Sequence, residues 1–214
     1  MLIGLGQYGL MHYMPPISAT LSAAQVAEYI RVHHGAMLAG SILLQLGYAG
    51  VIVFCAPLAV LMMKMENPSR LWTYMFLIST AIAYVASFLA YAIWTTAAYR
   101  PDRPAEIILA LNDFASIAYV GIVAPQFGSI GFAILGDRNR DRIYPRWVGY
   151  FNIWTAIGSM PSAFIGFFYT KPFAWDGLVG FWIAVGIYFI WVPVMIVYTL
   201  KALKRLAREE GAAA

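Results

Sequence analysis

Charge is what this chain has least of. Asp, Glu, Lys and Arg make up 11% of its 214 residues, where a soluble domain carries about 25%. The deficit is concentrated in five runs, residues 35–63, 71–99, 107–136, 147–170 and 177–200. Together they hold one acidic or basic side chain, Asp113. Cysteine is nearly absent: Cys55 stands alone in an apolar run, which excludes a disulfide framework and a cysteine metal cluster. Histidine is confined to His12, His33 and His34, all before the first run. Haem held between two spanning helices needs a ligand on each, so bis-histidine haem is excluded. Adjacent His33 and His34 point about 100° apart on a helix and do not chelate one ion from one face. No H-E-x-x-H, G-x-S-x-G or glycine-rich phosphate loop occurs at usable spacing. No catalytic residue, metal or cofactor is therefore expected, and an enzymatic reading ranks last.

What fills the chain instead is apolar surface, with 62% hydrophobic residues and a mean hydropathy of +0.71. Each run is long enough to cross a hydrocarbon core, which takes about 20 residues. The sequence predicts an all-α integral membrane bundle of five transmembrane helices. The links are short, so sequential helices lie antiparallel and adjacent in one domain. The net charge of +4 does not point to nucleic acid, because the basic residues stand at the ends of the runs. After runs one, three and five come ten: Lys64, Arg70, Arg138, Arg140, Arg142, Arg146, Lys201, Lys204, Arg205 and Arg208. The other side has four, Arg31, Arg100, Arg103 and Lys171. Lysine and arginine favour the cytoplasmic side, so the N-terminus is expected outside and the C-terminus inside.

Residues 1–34 are predicted to form an outer segment before the transmembrane domain of residues 35–214. Met1–Leu10 lacks the basic region of a secretory leader. Ser22 followed three residues later by Gln25 has the form of a capping box. It opens a short amphipathic helix expected on the membrane surface or against the bundle.

The third run poses the functional question. Asn112, Ser116, Tyr119, Gln126 and Ser129 share one helix face, and Asp113 borders it. A charge at membrane depth costs roughly 2.5–3.5 kcal/mol on insertion scales. Asp113 is thus either hydrated near the headgroups or buried and paired, and Arg100 or Arg103 could fold back onto it. Span two offers Thr80, Tyr84, Ser87, Tyr91 and Thr95 at three-and-four spacing, and span four offers Asn152, Thr155, Ser159, Ser162 and Gly166. Small and hydroxyl faces are first explained by helix packing. Packing does not require amides, and Gln45, Gln126 and Asn152 together with Asn112 suggest a polar core. Pro57, Pro125, Pro161 and Pro193 interrupt four spans.

Two outer loops carry chemistry: Tyr99-Arg-Pro-Asp-Arg-Pro-Ala-Glu106 and Lys171-Pro-Phe-Ala-Trp-Asp-Gly177. These segments, with Leu111-Asn-Asp113, Pro145-Arg-Trp-Val-Gly-Tyr-Phe-Asn152-Ile-Trp154 and the Pro15–Tyr29 stretch, resemble a family of small bacterial inner-membrane proteins. The resemblance spans nearly the whole chain. It implies membrane class and location, and it brings no catalytic residue with it.

The leading expectation is a binder or accessory subunit with an outward-facing pocket for a small amphiphilic or lipid-like molecule. Asn112, Asp113 and Arg100 or Arg103 would hold its polar end, and Tyr84, Tyr91, Tyr119 and Trp175 its apolar part. A small proton-coupled transporter using Asp113 and a structural subunit of a membrane complex are the alternatives. The bilayer is the expected partner, with a homo-oligomer or partner membrane subunits beside it and no nucleic acid.

Overall fold

The computed structural model of the chain describes residues 2–14, 16–65, 69–118, 123–170 and 172–212. The protein is 82% helical, with no strand among the described residues. It opens with a helical turn, α1 (Leu2–Gly4), that continues as a π-helix over Leu5–Leu10. Then come α2 (Ala23–Met65), α3 (Leu71–Tyr99), α4 (Ala105–Ala118), α5 (Val123–Gly136) and α6 (Arg146–Ser159). A 3₁₀ stretch (Met160–Phe167) and a π-helical one (Leu178–Trp182) precede α7 (Ile183–Ala212).

The helix starts follow local chemistry. At α2 the Ser22 amide donates to Gln25 Oε1 at 2.9 Å and the Gln25 amide to Ser22 Oγ at 3.4 Å. This is the reciprocal capping box that the sequence predicts. The helix it opens is not the short one expected. No proline intervenes before Pro57, so it continues for 43 residues, about 64 Å, into the first apolar run.

Four helical stretches are long and apolar enough to cross a membrane: Ala23–Met65, Leu71–Tyr99, Ala105–Gly136 and Leu178–Glu209. Residues 119–122 of the third lie outside the described residues. The expected fifth, over 147–170, is not a single α-helix. It is 14 residues of α6 followed by eight of 3₁₀-helix. Pro161 is the physical cause: it has no N–H for the ladder, and its ring conflicts with the carbonyl four residues back. Outward-facing apolar side chains are abundant, with Val53, Val85 and Phe167 at 72%, 68% and 78% exposure. Such surface is costly in water and costs nothing in lipid.

The chain divides into two compact units, and the divisions fall at 52/53, 81/82, 121/122, 160/161 and 182/183. Each of the five apolar runs is therefore shared between them. The first unit contains residues 1–52, 82–121 and 161–182. Its core joins Met11, Tyr13 and Ile17 to Val26, Ile30, Met37, Leu44 and Tyr48 of α2, Tyr91, Trp94 and Ala98 of α3, and Ile108 of α4. Bare glycines let the N-terminal helix close onto α2. A Cβ on Gly6 would lie 2.9 Å from Gly40 O, and one on Gly47 would lie 2.6 Å from Ile3 Cγ1. Residue 3 opposite 47 and residue 6 opposite 40 make the pair antiparallel. The N-terminal helix thus lies along the first apolar run, inside residues 35–63.

The second unit contains residues 53–81, 122–160 and 183–214. Helices α5 and α6 meet at glycine here as well: a Cβ on Gly131 would come 2.7 Å from Ile153 Cδ1 and 2.9 Å from Gly149 O. Gly158 meets Ile187 of α7 in the same way, at 2.5 Å. Gly166, expected to extend the packing face of span four, has open space beside it. The 137–146 loop is fastened to both of its neighbours. Asn139 Nδ2 donates to Lys64 O at 3.1 Å, and Arg205 donates to Arg142 O and Asp141 O at 3.0 and 2.8 Å. Buried Asp137 accepts the amides of Asn139 and Ile143, which sets the loop's own turn.

Candidate functional site

The polar groups gather in the first unit around Tyr13. This residue follows the N-terminal helix and is buried, and its phenol donates to Asn112 Oδ1 of α4. Its ring stacks obliquely on Trp94 of α3, 4.5 Å between centroids. The Ser116 hydroxyl and the Trp94 indole both adjoin the phenol. One turn separates Asn112 from Ser116 on α4, so both project to the same side.

Trp94 Nε1, Asn112 Nδ2 and Ser116 Oγ are buried and make no close hydrogen bond among the described residues, with the Tyr13 phenol beside Trp94 and Ser116 and the Asp113 carboxyl beside Asn112. Leaving such a group unpaired costs about 1–3 kcal/mol each, and native proteins leave few. The Trp94 and Asn112 N–H groups only donate and the Ser116 hydroxyl both donates and accepts, so an added acceptor oxygen would complete the cluster. Asp113, next on the helix, is half-buried and makes no ion pair among the described residues.

An aromatic series runs on from Trp94. Tyr91 lies 5.6 Å from Trp94 between centroids and Tyr48 lies 5.5 Å from Tyr91, with Tyr84 5.7 Å beyond. Gln7 Nε2 donates to the Tyr91 hydroxyl at 3.0 Å, and the Tyr48 and Tyr91 hydroxyls bond at 3.2 Å. Beside this, Tyr29 stacks on His33 at 4.4 Å, His12 approaches His33 at 5.6 Å, and the Tyr29 hydroxyl donates to His12 O at 2.7 Å. No group of three metal-ligating side chains occurs among the described residues.

The predicted site residues separate on this geometry. Asn112 and Tyr91 meet the Tyr13 cluster, and Tyr84 stands at its far end. Trp175 is buried in the same unit, where its indole donates to Ile17 O at 2.8 Å and anchors the N-terminal segment. Tyr119 lies outside the described residues. Neither arginine reaches Asp113. Arg103 donates to Thr96 O at 2.9 Å, on the last turn of α3, where a cation meets free carbonyls. Arg100 sits 6.0 Å from the Tyr99 ring centre.

Of the amides expected in a polar core, Gln45 is exposed on α2, Asn112 is buried in the first unit, and Gln126 and Asn152 are buried in the second. Asn152 is satisfied there: its Nδ2 donates to Val148 O at 2.8 Å and its Oδ1 accepts Trp191 Nε1 at 2.8 Å. Such a closed set is structural.

Tyr13, Trp94 and Gln7 are the residues that sequence reasoning missed. Trp94 had a signal, since it continues the 84, 87, 91 spacing as well as Thr95 does. Tyr13 had none, because its partner Asn112 is 99 positions away. No protein-family model, curated protein or solved structure matches the chain.

Proposed function

We propose that this protein is a five-crossing bundle of a bacterial inner membrane, N-terminus out and C-terminus in. In this reading it binds a small amphiphile whose acceptor oxygen is held by Trp94, Asn112 and Ser116. The observation that carries the binding reading is the set of Trp94 Nε1, Asn112 Nδ2 and Ser116 Oγ, buried around Tyr13 without a close hydrogen bond among the described residues. The two N–H groups can only donate, which selects a carbonyl, ester or carboxylate oxygen over an ammonium group. The aromatic rings of Tyr91, Tyr48 and Tyr84 supply an apolar wall for a tail. Tyr13 rides on a connecting segment rather than a long helix, so it is the side chain that gives way when the oxygen enters.

The crossing number is supported by the five charge-poor runs, each long enough to span a hydrocarbon core. The orientation is supported by charge. All ten basic residues of the larger set belong to the second unit, and Arg31, Arg100 and Arg103 belong to the first.

Thermal unfolding in dodecyl maltoside tests the binding reading. Methyl laurate is expected to raise the midpoint and dodecane, which lacks the oxygen, to leave it unchanged. Asn112→Leu is expected to abolish the difference. Equal effects of the two probes on the wild type would sink the reading. Proton-coupled transport is the second reading, favoured by Asp113 as a carboxylate without an ionic partner among the described residues. It requires uptake into proteoliposomes driven by an imposed pH gradient and lost in Asp113→Asn.

A further inference from the structure

Gln45 lies on the outer surface of α2, exposed, with no hydrogen-bond partner among the described residues. It belongs to a stripe of exposed residues at three-and-four spacing, Ile42, Gln45, Ala49 and Ile52, with Leu46 and Gly50 beside it. The depth of this amide follows from the chain itself. A hydrocarbon core takes about 20 residues of helix, and every window of that length within the charge-free run 35–63 contains position 45. Position 45 is therefore part of the spanning segment, and the lipid tails around that segment can neither donate nor accept a hydrogen bond.

We propose that a second copy of this chain covers the stripe, α2 against α2 about a twofold axis, with the two Gln45 amides bonded to each other. A primary amide is its own complement: each supplies an N–H and a carbonyl, so a twofold pairing satisfies both at once. The stripe has no charged residue and so asks for no partner of opposite sign. Close approach is open to it as well. Ala49 is small, and nothing lies within 4 Å of a Cβ built on Gly50. Small residues next to an amide are the ordinary ingredients of a helix contact in lipid.

The test is single-molecule photobleaching of the purified full chain, labelled at a C-terminal tag and reconstituted over a series of protein-to-lipid ratios. The wild type is expected to pass from one-step to two-step bleaching as the ratio rises. Gln45→Leu keeps the surface apolar and is expected to weaken the association about three- to twentyfold. Gly50→Leu is expected to weaken it by bulk, and Val85→Leu, on the exposed surface of α3, to leave it unchanged. A wild type that bleaches in one step throughout would overturn the proposal, whether the stripe faces lipid or a different protein. So would a Gln45→Leu chain that pairs as well as the wild type.

Discussion

The phenol of Tyr13 donates its hydrogen bond to the side-chain carbonyl of Asn112. This one bond ties the segment after the N-terminal helix to α4, and it uses the acceptor of Asn112 while that residue's amide nitrogen makes no close hydrogen bond among the described residues. Tyr13→Phe keeps the ring on Trp94 and orphans the Asn112 carbonyl. It is expected to destabilise the protein by about 1–3 kcal/mol. The double change Tyr13→Phe with Asn112→Leu, which removes both partners, is expected to recover much of that loss in chemical unfolding in detergent. Additive losses would mean that the two residues are not coupled.

Glycine positions give a second expectation. Gly131→Val drives a branched side chain against Ile153 and the Gly149 carbonyl. Overpacking of this kind costs about 1–3 kcal/mol. Gly166→Val meets open space and is expected to leave the unfolding midpoint within error. Equal tolerance at both positions would contradict the α5–α6 contact.

Burial pushes the Tyr144 phenol up to about 12, with its hydrogen bond to Thr199 acting the other way. The folded protein thus keeps this proton at pH values where the unfolded chain, near 10, has released it. Its contribution is complete below pH 10 and is lost as the pH rises toward 12, at roughly 1.4 kcal/mol per pH unit. Tyr144→Phe has no proton to lose, and its stability is expected to fall less over that window. Parallel wild-type and variant profiles from pH 9 to 12 would refute the assignment.

Much of this architecture was legible in the sequence, and the limits have physical causes. Charge-free runs announce a membrane chain because lipid excludes charge, and Ser22 with Gln25 announces a helix start because a cap is local. Neither signal reports a long-range partner. Trp175 is expected from sequence to line a pocket, and its indole is buried with a hydrogen bond to Ile17 O, 158 positions away. Residues 2–10 fall in the expected outer segment 1–34, while Gly6 meets Gly40 in the first apolar run. The glycines at 40 and 47, one heptad apart, were the available sign of a close helix contact. Asp113 drew attention as the lone acid, but the buried groups without a close hydrogen bond among the described residues belong to its neighbour Asn112, to Ser116 and to Trp94.

Orientation is checked with introduced thiols. Cys55 is buried and stays silent, so Asp102→Cys and Asn139→Cys, both at exposed positions, report alone. With an impermeant reagent added outside intact cells, Asp102→Cys is expected to label and Asn139→Cys to be shielded. The reverse pattern would invert the orientation.

The Trp94 indole N–H is the most direct witness of the binding site. A ¹⁵N–¹H spectrum of the seven tryptophan indoles, with Trp94 assigned by its loss in Trp94→Phe, can be followed during titration with methyl laurate. The Trp94 proton is expected to move downfield and saturate as it gains an acceptor, while dodecane leaves it in place. A Trp94 resonance that stays fixed while the other indoles follow the added ester would contradict the account.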